Sequence, residues 1–214
     1  MDPAMTSESR RDMVAAAVAS YDEEIRALGE GRDAACQDLP AALELLAGIS
    51  GKIVVSGIGK SGHIAAKIAA TLASVGRPAV FVHATEALHG DSGVVQPGDG
   101  AIVISNSGTT TEVCSFALML RDWSIPTVAM TQNPDSTLGR LADHVLRVAV
   151  PREADPLGLA PTSSTTLTLA LGDALAAGLM TESGFRAEDF AERHPGGALG
   201  QRLSDENNDE NRSE

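Results

Sequence analysis

The sequence predicts an α/β fold in which a parallel sheet is covered by helices on both faces. Short apolar runs recur between stretches of helical periodicity. The runs are near-continuous rather than alternating, as strands buried on both faces are. Turns rich in Gly, Ser, Thr and Asn follow them.

Residues 7–29 carry Val14, Val18, Ile25 and Leu28 at near-helical spacing, an amphipathic helix that Gly29 and Gly31 end. A second helix is expected over about 33–48, with Ala35, Leu39, Leu43, Leu46 and Ala47 as its apolar positions and Pro40 close to its start. Lys52–Ile58 (KIVVSGI) reads as the first strand, Gly59–Gly62 as a turn and His63–Val75 as a small-residue helix. Ala79–Val82 is the second strand, Ala101–Ser105 the third, and Glu112–Arg121 the helix after it. Pro126–Thr131 is the fourth strand, followed by a short helix near 136–142, and Val145–Val150 is the fifth. Ser163–Ser183 is a long helix rich in Leu and Ala. The organisation is N-terminal helices over 1–48 that pack on the domain, an α/β domain over 49–203, and an acidic disordered tail over 204–214. Ligands of such sheets sit at the C-terminal ends of the strands near a topological switch point, so the turns after the first, third and fifth strands matter most.

Composition narrows the function. The 214 residues suit one large α/β domain, and 43% hydrophobic with 21% charged residues supports an ordinary soluble core. Aromatics are only 3%, so stacking platforms for bases or sugars are scarce. A net charge of −13 repels phosphate backbones and argues against nucleic-acid binding. Any anion site must therefore be local, built from backbone N–H groups, hydroxyls and a few placed cations. Cys36 and Cys114 have no metal-type spacing and read as free thiols of a reducing compartment. The apolar runs fall far short of the ~18 residues of a membrane span. Arg10-Arg11 before Met13–Ala19 faintly resembles an export signal, but Asp12 follows the pair directly. The expectation is a cytoplasmic protein with no membrane partner.

Four motifs bear on chemistry. In Ser56-Gly57-Ile58-Gly59-Lys60-Ser61-Gly62 the Walker spacing fails, because Val54 stands where its first Gly is needed. Gly57, Gly59 and Gly62 do satisfy the dinucleotide fingerprint, yet Val82-His83 stands where the ribose-binding acid is expected. The bland reading is a tight strand–helix turn; Lys60 adds a cation beside a helix N-terminus, where an anion is welcome. The stretch Ser105-Asn106-Ser107-Gly108-Thr109-Thr110-Thr111-Glu112 follows a strand and opens a helix. Its run of hydroxyl and amide side chains exceeds capping needs and suits a phosphate without net positive charge. Glu112 falls in that helix's first turn, as a base or as a complement to the dipole. Glu153 stands past the fifth strand, and Thr162-Ser163-Ser164-Thr165-Thr166 is a plausible N-cap cluster after it. His83, His89 and His194 follow the second strand, the same loop and the last helix. The spacing of His83 and His89 is no zinc signature, and a structural or substrate-contact role suits them better.

In chain order these segments are Gly-Lys-Ser-Gly-His, His-Gly-Asp, Ser-Asn-Ser-Gly-Thr, Leu-Ala-Pro-Thr-Ser-Ser-Thr-Thr and His-Pro-Gly-Gly-Ala-Leu-Gly. The set resembles the sugar isomerase (SIS) domain family, in the arabinose-5-phosphate isomerase branch, over about 50–203. The resemblance implies a three-layer α/β/α sandwich with a five-stranded parallel sheet. It implies a homotetramer with active sites shared between subunits, and a sugar phosphate as ligand. The implied reaction interconverts D-ribulose 5-phosphate and D-arabinose 5-phosphate, a step toward Kdo, with no cofactor required. Catalytic positions match Lys60, Glu112, Glu153 and His194. Substrate positions match Gly59, Ser61, His89, Ser105, Asn106, Ser107, Gly108, Thr109, Thr110, Thr162 and Ser163. The histidine matching His83 contacts an inhibitory zinc in some members. Family members usually continue into two CBS domains, whereas this sequence stops in an acidic run near 204, as either a short natural form or a truncated one; loss of the CBS domains would remove a regulatory layer and not the chemistry. Asp155 stands where the family commonly has Cys and is expected to raise the pKa of Glu153.

Aldose–ketose isomerisation moves a proton between C1 and C2 through an enediol(ate). It needs a base at those carbons, an acid–base group for the oxygens and a held phosphate. The expected roles are phosphate binding by Ser105, Ser107 and Thr110, charge stabilisation by Lys60, carbon-proton transfer by Glu112 or Glu153, and oxygen-proton transfer by His194 of a neighbouring subunit. Two other readings stay open: an SIS enzyme on another sugar phosphate, and a non-catalytic sugar-phosphate sensor.

Overall fold

Five strands pair in parallel in a computed structural model that describes residues 6–196. They are β1 (Ile53–Gly57), β2 (Ala79–His83), β3 (Gly100–Ile104), β4 (Thr127–Thr131) and β5 (His144–Arg147), in the order β2-β1-β3-β4-β5. The inner strands β1, β3 and β4 are buried at every residue, which is why their apolar residues do not alternate with polar ones. The chain leaves β1 toward β2 and then returns to the other side of β1 for β3. The C-terminal ends of β1 and β3 thus flank the switch point.

Helices α1 (Ser7–Ala47), α2 (Gly59–Ser74) and α6 (Ser163–Ser183) cover one face; α3 (Ala84–Ala87), α4 (Thr111–Asp122) and α5 (Thr137–Leu141) cover the other. A short helix α7 (Ala187–Arg193) follows α6. The two cores lie on opposite sides of the sheet: Val55, Ile102 and Met130 point to one, Val54, Val103 and Ala129 to the other. This is the expected α/β/α sandwich.

The N-terminal segment departs from expectation. The two helices predicted over 7–29 and 33–48 are one helix of 41 residues that runs through Gly29, Gly31 and Pro40. Gly31 is a contact rather than a stop: a Cβ there would lie 2.7 Å from Leu167 Cδ2 on α6. Pro40 has no N–H to give its helix, a local loss that the packing of Ala35, Ala42 and Leu46 into the core offsets. Further ties hold α1 in place. Arg147 donates from Nε to Asp38 at 2.8 Å and from a terminal nitrogen to the other carboxylate oxygen at 2.9 Å. Arg77 donates to the carbonyls of Ala47 and Ile49 at 3.0 and 3.1 Å, supplying the cation that the last turn of α1 lacks.

Smaller differences have similar causes. The expected turn at 59–62 is already the first turn of α2. The fifth strand ends at Arg147, where its pairing with Thr131 of β4 ends, although Val148 and Val150 stay buried. The acidic tail over 204–214 and the end of the motif begun by His194 lie outside the described residues. Among the described residues no helix is long and apolar enough to cross a membrane.

Candidate active site

Two strand–helix turns meet at the switch point. The first leaves β1 and enters α2 with almost no connection. A Cβ on Gly57 would lie 3.1 Å from the Ile104 carbonyl oxygen and 3.2 Å from the Ser61 backbone, and one on Gly62 would lie 3.1 Å from the Gly57 carbonyl oxygen. The first turn of α2 therefore sits directly on the ends of β1 and β3. Gly59 takes a left-handed conformation at φ +56°, which a side chain would resist. Lys60 is exposed in this first turn, with no acidic partner among the described residues, and Ser61 is half-buried beside it.

The second turn joins β3 to α4. Gly108, at φ +66°, turns the chain, and its N–H donates to Ser105 Oγ at 3.2 Å. Ser105 Oγ and Thr110 Oγ1 are 2.9 Å apart, and Ser107 Oγ accepts from the Thr109 N–H at 3.3 Å. The loop is braced from β4 and from α5. Thr131 Oγ1 donates to the Asn106 carbonyl at 3.1 Å, and the Leu138 N–H donates to the Gly108 carbonyl at 2.9 Å. Neither α2 nor α4 has a side-chain N-cap hydrogen bond, so both present backbone N–H groups at their starts.

Between the turns lies a cleft of about 290 Å³ lined by Ser61 on one side and Ser105, Asn106, Ser107 and Thr110 on the other. Asn106 Oδ1 is buried without a protein partner. Hydroxyls and helix N-termini converging on one concavity suit a phosphate, even in an acidic chain. Glu112 is half-buried in the first turn of α4, next to this loop.

Glu153 is held differently. One carboxylate oxygen accepts from the Thr162 N–H at 2.8 Å, the Ser164 N–H at 3.1 Å and Thr162 Oγ1 at 3.3 Å; the other accepts from Ser164 Oγ. Burial pushes its pKa up, but the bonds from Ser164 and Thr162 outweigh that and hold it below the ordinary carboxylate value. The expected upward shift from Asp155 is thus overturned. Asp155 turns its carboxylate to the N–H groups of Leu157, Leu159 and Ala160 at 2.7–2.9 Å, where it organises the loop instead. The resemblance puts Thr162 and Ser163 at the substrate. Thr162 is occupied with Glu153, whereas Ser163 Oγ is buried without a partner. Ser164, which the sequence alone does not single out, is the second clamp; its signal is its place in a Ser/Thr cluster opening a helix.

His194 is not brought to this cleft within one chain. It follows α7, which begins just after Phe185; that ring packs against Gly76 beyond the C-terminus of α2, at the other end of the sheet. Its ring stacks on Phe190 at 3.8 Å, and Nδ1 lies 2.8 Å from the Phe190 carbonyl oxygen. His89 is exposed in the loop beyond α3, and His83 ends β2 with Nδ1 buried and unpartnered. Among the described residues no three His, Cys, Asp or Glu side chains gather to hold a metal ion.

Comparison with known proteins gives a consistent answer. The SIS domain profile matches residues 46–178. Arabinose 5-phosphate isomerase KdsD of Yersinia pestis is 53% identical over 167 residues, 78% of this chain and 51% of that protein. Its namesake from Pseudomonas aeruginosa is 52% identical over 166 residues, again 78% and 51%. The chain thus spans about half the length of these curated relatives. A solved structure from E. coli CFT073, in complex with arabinose 5-phosphate, superposes with a TM-score of 0.83 at 38% identity, covering 86% of this chain and 98% of that one. With the matched segment running from the end of α1 through most of α6, and with the whole sheet and its switch point inside it, the chain belongs to the SIS domain family.

Proposed function

We propose that this chain is an aldose–ketose isomerase that interconverts D-ribulose 5-phosphate and D-arabinose 5-phosphate through an enediol. One observation carries the reading: a hydroxyl-lined cleft at the β1/β3 switch point, fed by two uncapped helix N-termini. The identity to isomerases of that name over the SIS segment supports the choice of substrate.

In this reading Ser61, Ser105, Ser107 and Thr110 hold the phosphate and fix the distance to C1 and C2. Lys60 faces the charge that develops on the sugar oxygens, where a cation lowers the barrier most. Glu112 moves the proton between the carbons. Glu153 carries four hydrogen bonds on its carboxylate and is a weaker base for it, so it orders the β5–α6 loop and holds Thr162 and Ser163 in place at the reacting sugar. His194, remote from the cleft of its own chain, completes the cleft of a neighbouring copy and moves the oxygen protons. That arrangement requires an oligomer, and a homotetramer is the assembly we propose. The two free cysteines fit a cytoplasmic enzyme.

The test is proton NMR of the purified protein with D-ribulose 5-phosphate in D₂O and EDTA. Arabinose 5-phosphate with deuterium at C2, lost in His194→Ala, is the expected result. Binding without turnover would reject the isomerase and favour a sensor, and turnover of a different sugar phosphate would move the substrate within the family.

A further inference from the structure

Glu23 is a buried carboxylate that the proposed chemistry does not use. Much of the N-terminal half of α1 is exposed, yet Glu23 is only 6% exposed. Arg26, one turn on, donates to it from Nε at 3.1 Å and from a terminal nitrogen. Arg152 donates to it from across the fold at 2.9 Å. Glu24 accepts from Thr166 Oγ1 at 3.1 Å.

These contacts lie on either side of the Glu153 clamp. Arg152 is the residue before Glu153, and Thr166 lies in the first turn of α6. The backbone between β5 and α6 has no regular structure; Gln132 holds it at the Val150 carbonyl and Asp155 organises its later turn, while Arg152 ties it to α1. Helix α1 grips it at Arg152 and again just past its end, at Thr166. Between the grips lies the clamp in which Glu153 accepts from Thr162 and Ser164. Arg26 alone gives Glu23 a close cation, so the charge of Glu23 does not require Arg152. With Arg152 itself 67% exposed, the pair adds little to global stability. What the contact fixes is the backbone that carries Glu153.

We infer that Glu23 is a positioning residue: through Arg152 it sets the path of the loop that aims the Glu153 carboxylate. The effect on turnover rests on the isomerase reading above; the effect on the loop does not.

The experiment compares Glu23→Ala, Arg152→Ala, the double variant and Arg26→Ala, read by amide hydrogen exchange and by turnover of D-ribulose 5-phosphate. Exchange at the Thr162 and Ser164 amides should quicken about tenfold in both single variants, with the double no worse than either, as coupled residues behave. Exchange elsewhere, and in Arg26→Ala, should stay within about twofold. In the same variants kcat should fall about tenfold with KM nearly unchanged, because the phosphate loop is untouched. Unchanged exchange at Thr162 and Ser164, a uniform rise over the whole chain, or additive losses would each overturn the proposal. Should Glu23→Ala fail to fold, Arg152→Ala, at an exposed position, decides by the same readout. A parent protein that exchanges as expected but turns over no ribulose 5-phosphate rejects the isomerase and leaves the positioning result standing.

Discussion

Gly108→Ala tests whether the phosphate loop is shaped by backbone conformation and close packing together. Gly108 sits at φ +66°, a left-handed conformation that costs an L-residue about 1–2 kcal/mol. Its added Cβ would also collide with the Ser136 side chain and lie 2.7 Å from Thr131 Oγ1. Both neighbours are buried, and Ser136 Oγ caps α5 through the Gly139 N–H, so neither yields freely. Overpacking of that kind adds about 1–3 kcal/mol. The sum is about 2–5 kcal/mol, or roughly 5–15 °C in Tm for a domain of this size. Gly59→Ala is the internal control: it has the same handedness at φ +56°, with nothing within 4 Å of the new Cβ. It should lose only the conformational part, about 1–2 kcal/mol. Urea unfolding of both variants, with phosphate or arabinose 5-phosphate binding by calorimetry, measures the difference. If Gly108→Ala is as stable as Gly59→Ala and binds as the parent does, the loop is not held as described.

Other consequences can be measured with the same preparations. The pKa of Glu153 is lower folded than unfolded, so its bonds stabilise the fold above the unfolded value of about 4.3 and lose that contribution as pH falls through the folded value. Glu153→Gln should therefore cost about 1 kcal/mol at pH 7, as loss of a helix cap does, with the gap to the parent closing in acid when chemical denaturation is repeated there. Asp99 is buried, pairs with Lys52 at 2.6 Å and accepts from the N–H groups of Lys52 and Gln96. Asp99→Ala removes all three bonds and should cost about 3–5 kcal/mol by urea unfolding, because it leaves a half-buried cation unpaired. Glu112→Gln should lower kcat about 10²–10⁴-fold with the fold intact by circular dichroism, and a loss smaller than about tenfold would remove it as the base.

The sheet is legible in the sequence because its inner strands are short and mostly apolar. Ile53–Gly57, Gly100–Ile104 and Thr127–Thr131 match the apolar runs expected at Lys52–Ile58, Ala101–Ser105 and Pro126–Thr131 to within one residue at either end. The cleft is legible for a related reason: Ser105 to Thr110 carries more hydroxyls than a cap consumes. What is not legible depends on distant contacts. Local rules end a helix at Gly29 and Gly31 and discourage Pro40. Contacts distant in sequence explain why α1 continues: Leu167 of α6 packs on Gly31, and Ala35, Ala42 and Leu46 enter the core on either side of Pro40. The direction of the Glu153 pKa escapes sequence reading for the same kind of reason. Asp155 is near in sequence, but its carboxylate is spent on loop amides, and Ser164, eleven residues on, does the opposite of what Asp155 is expected to do. His194 is a third case: a residue placed by resemblance whose own chain holds it against Phe190, away from the cleft.

The scarcity of aromatic residues has an optical consequence. The chain contains one tyrosine and one tryptophan. Tyr21 lies on α1 and is 70% exposed; Trp123 caps the C-terminus of α4, on the other face of the sheet, and is 47% exposed. The molecule thus carries a separate fluorophore on each outer layer, without engineered labels. Tryptophan emission follows the α4 layer, and tyrosine emission in a Trp123→Phe background follows the long helix. Coincident melting of the two signals would mean that the long helix unfolds with the sheet as one cooperative unit. An earlier tyrosine transition would mean that the helix detaches first, carrying Glu23 away from the loop it holds.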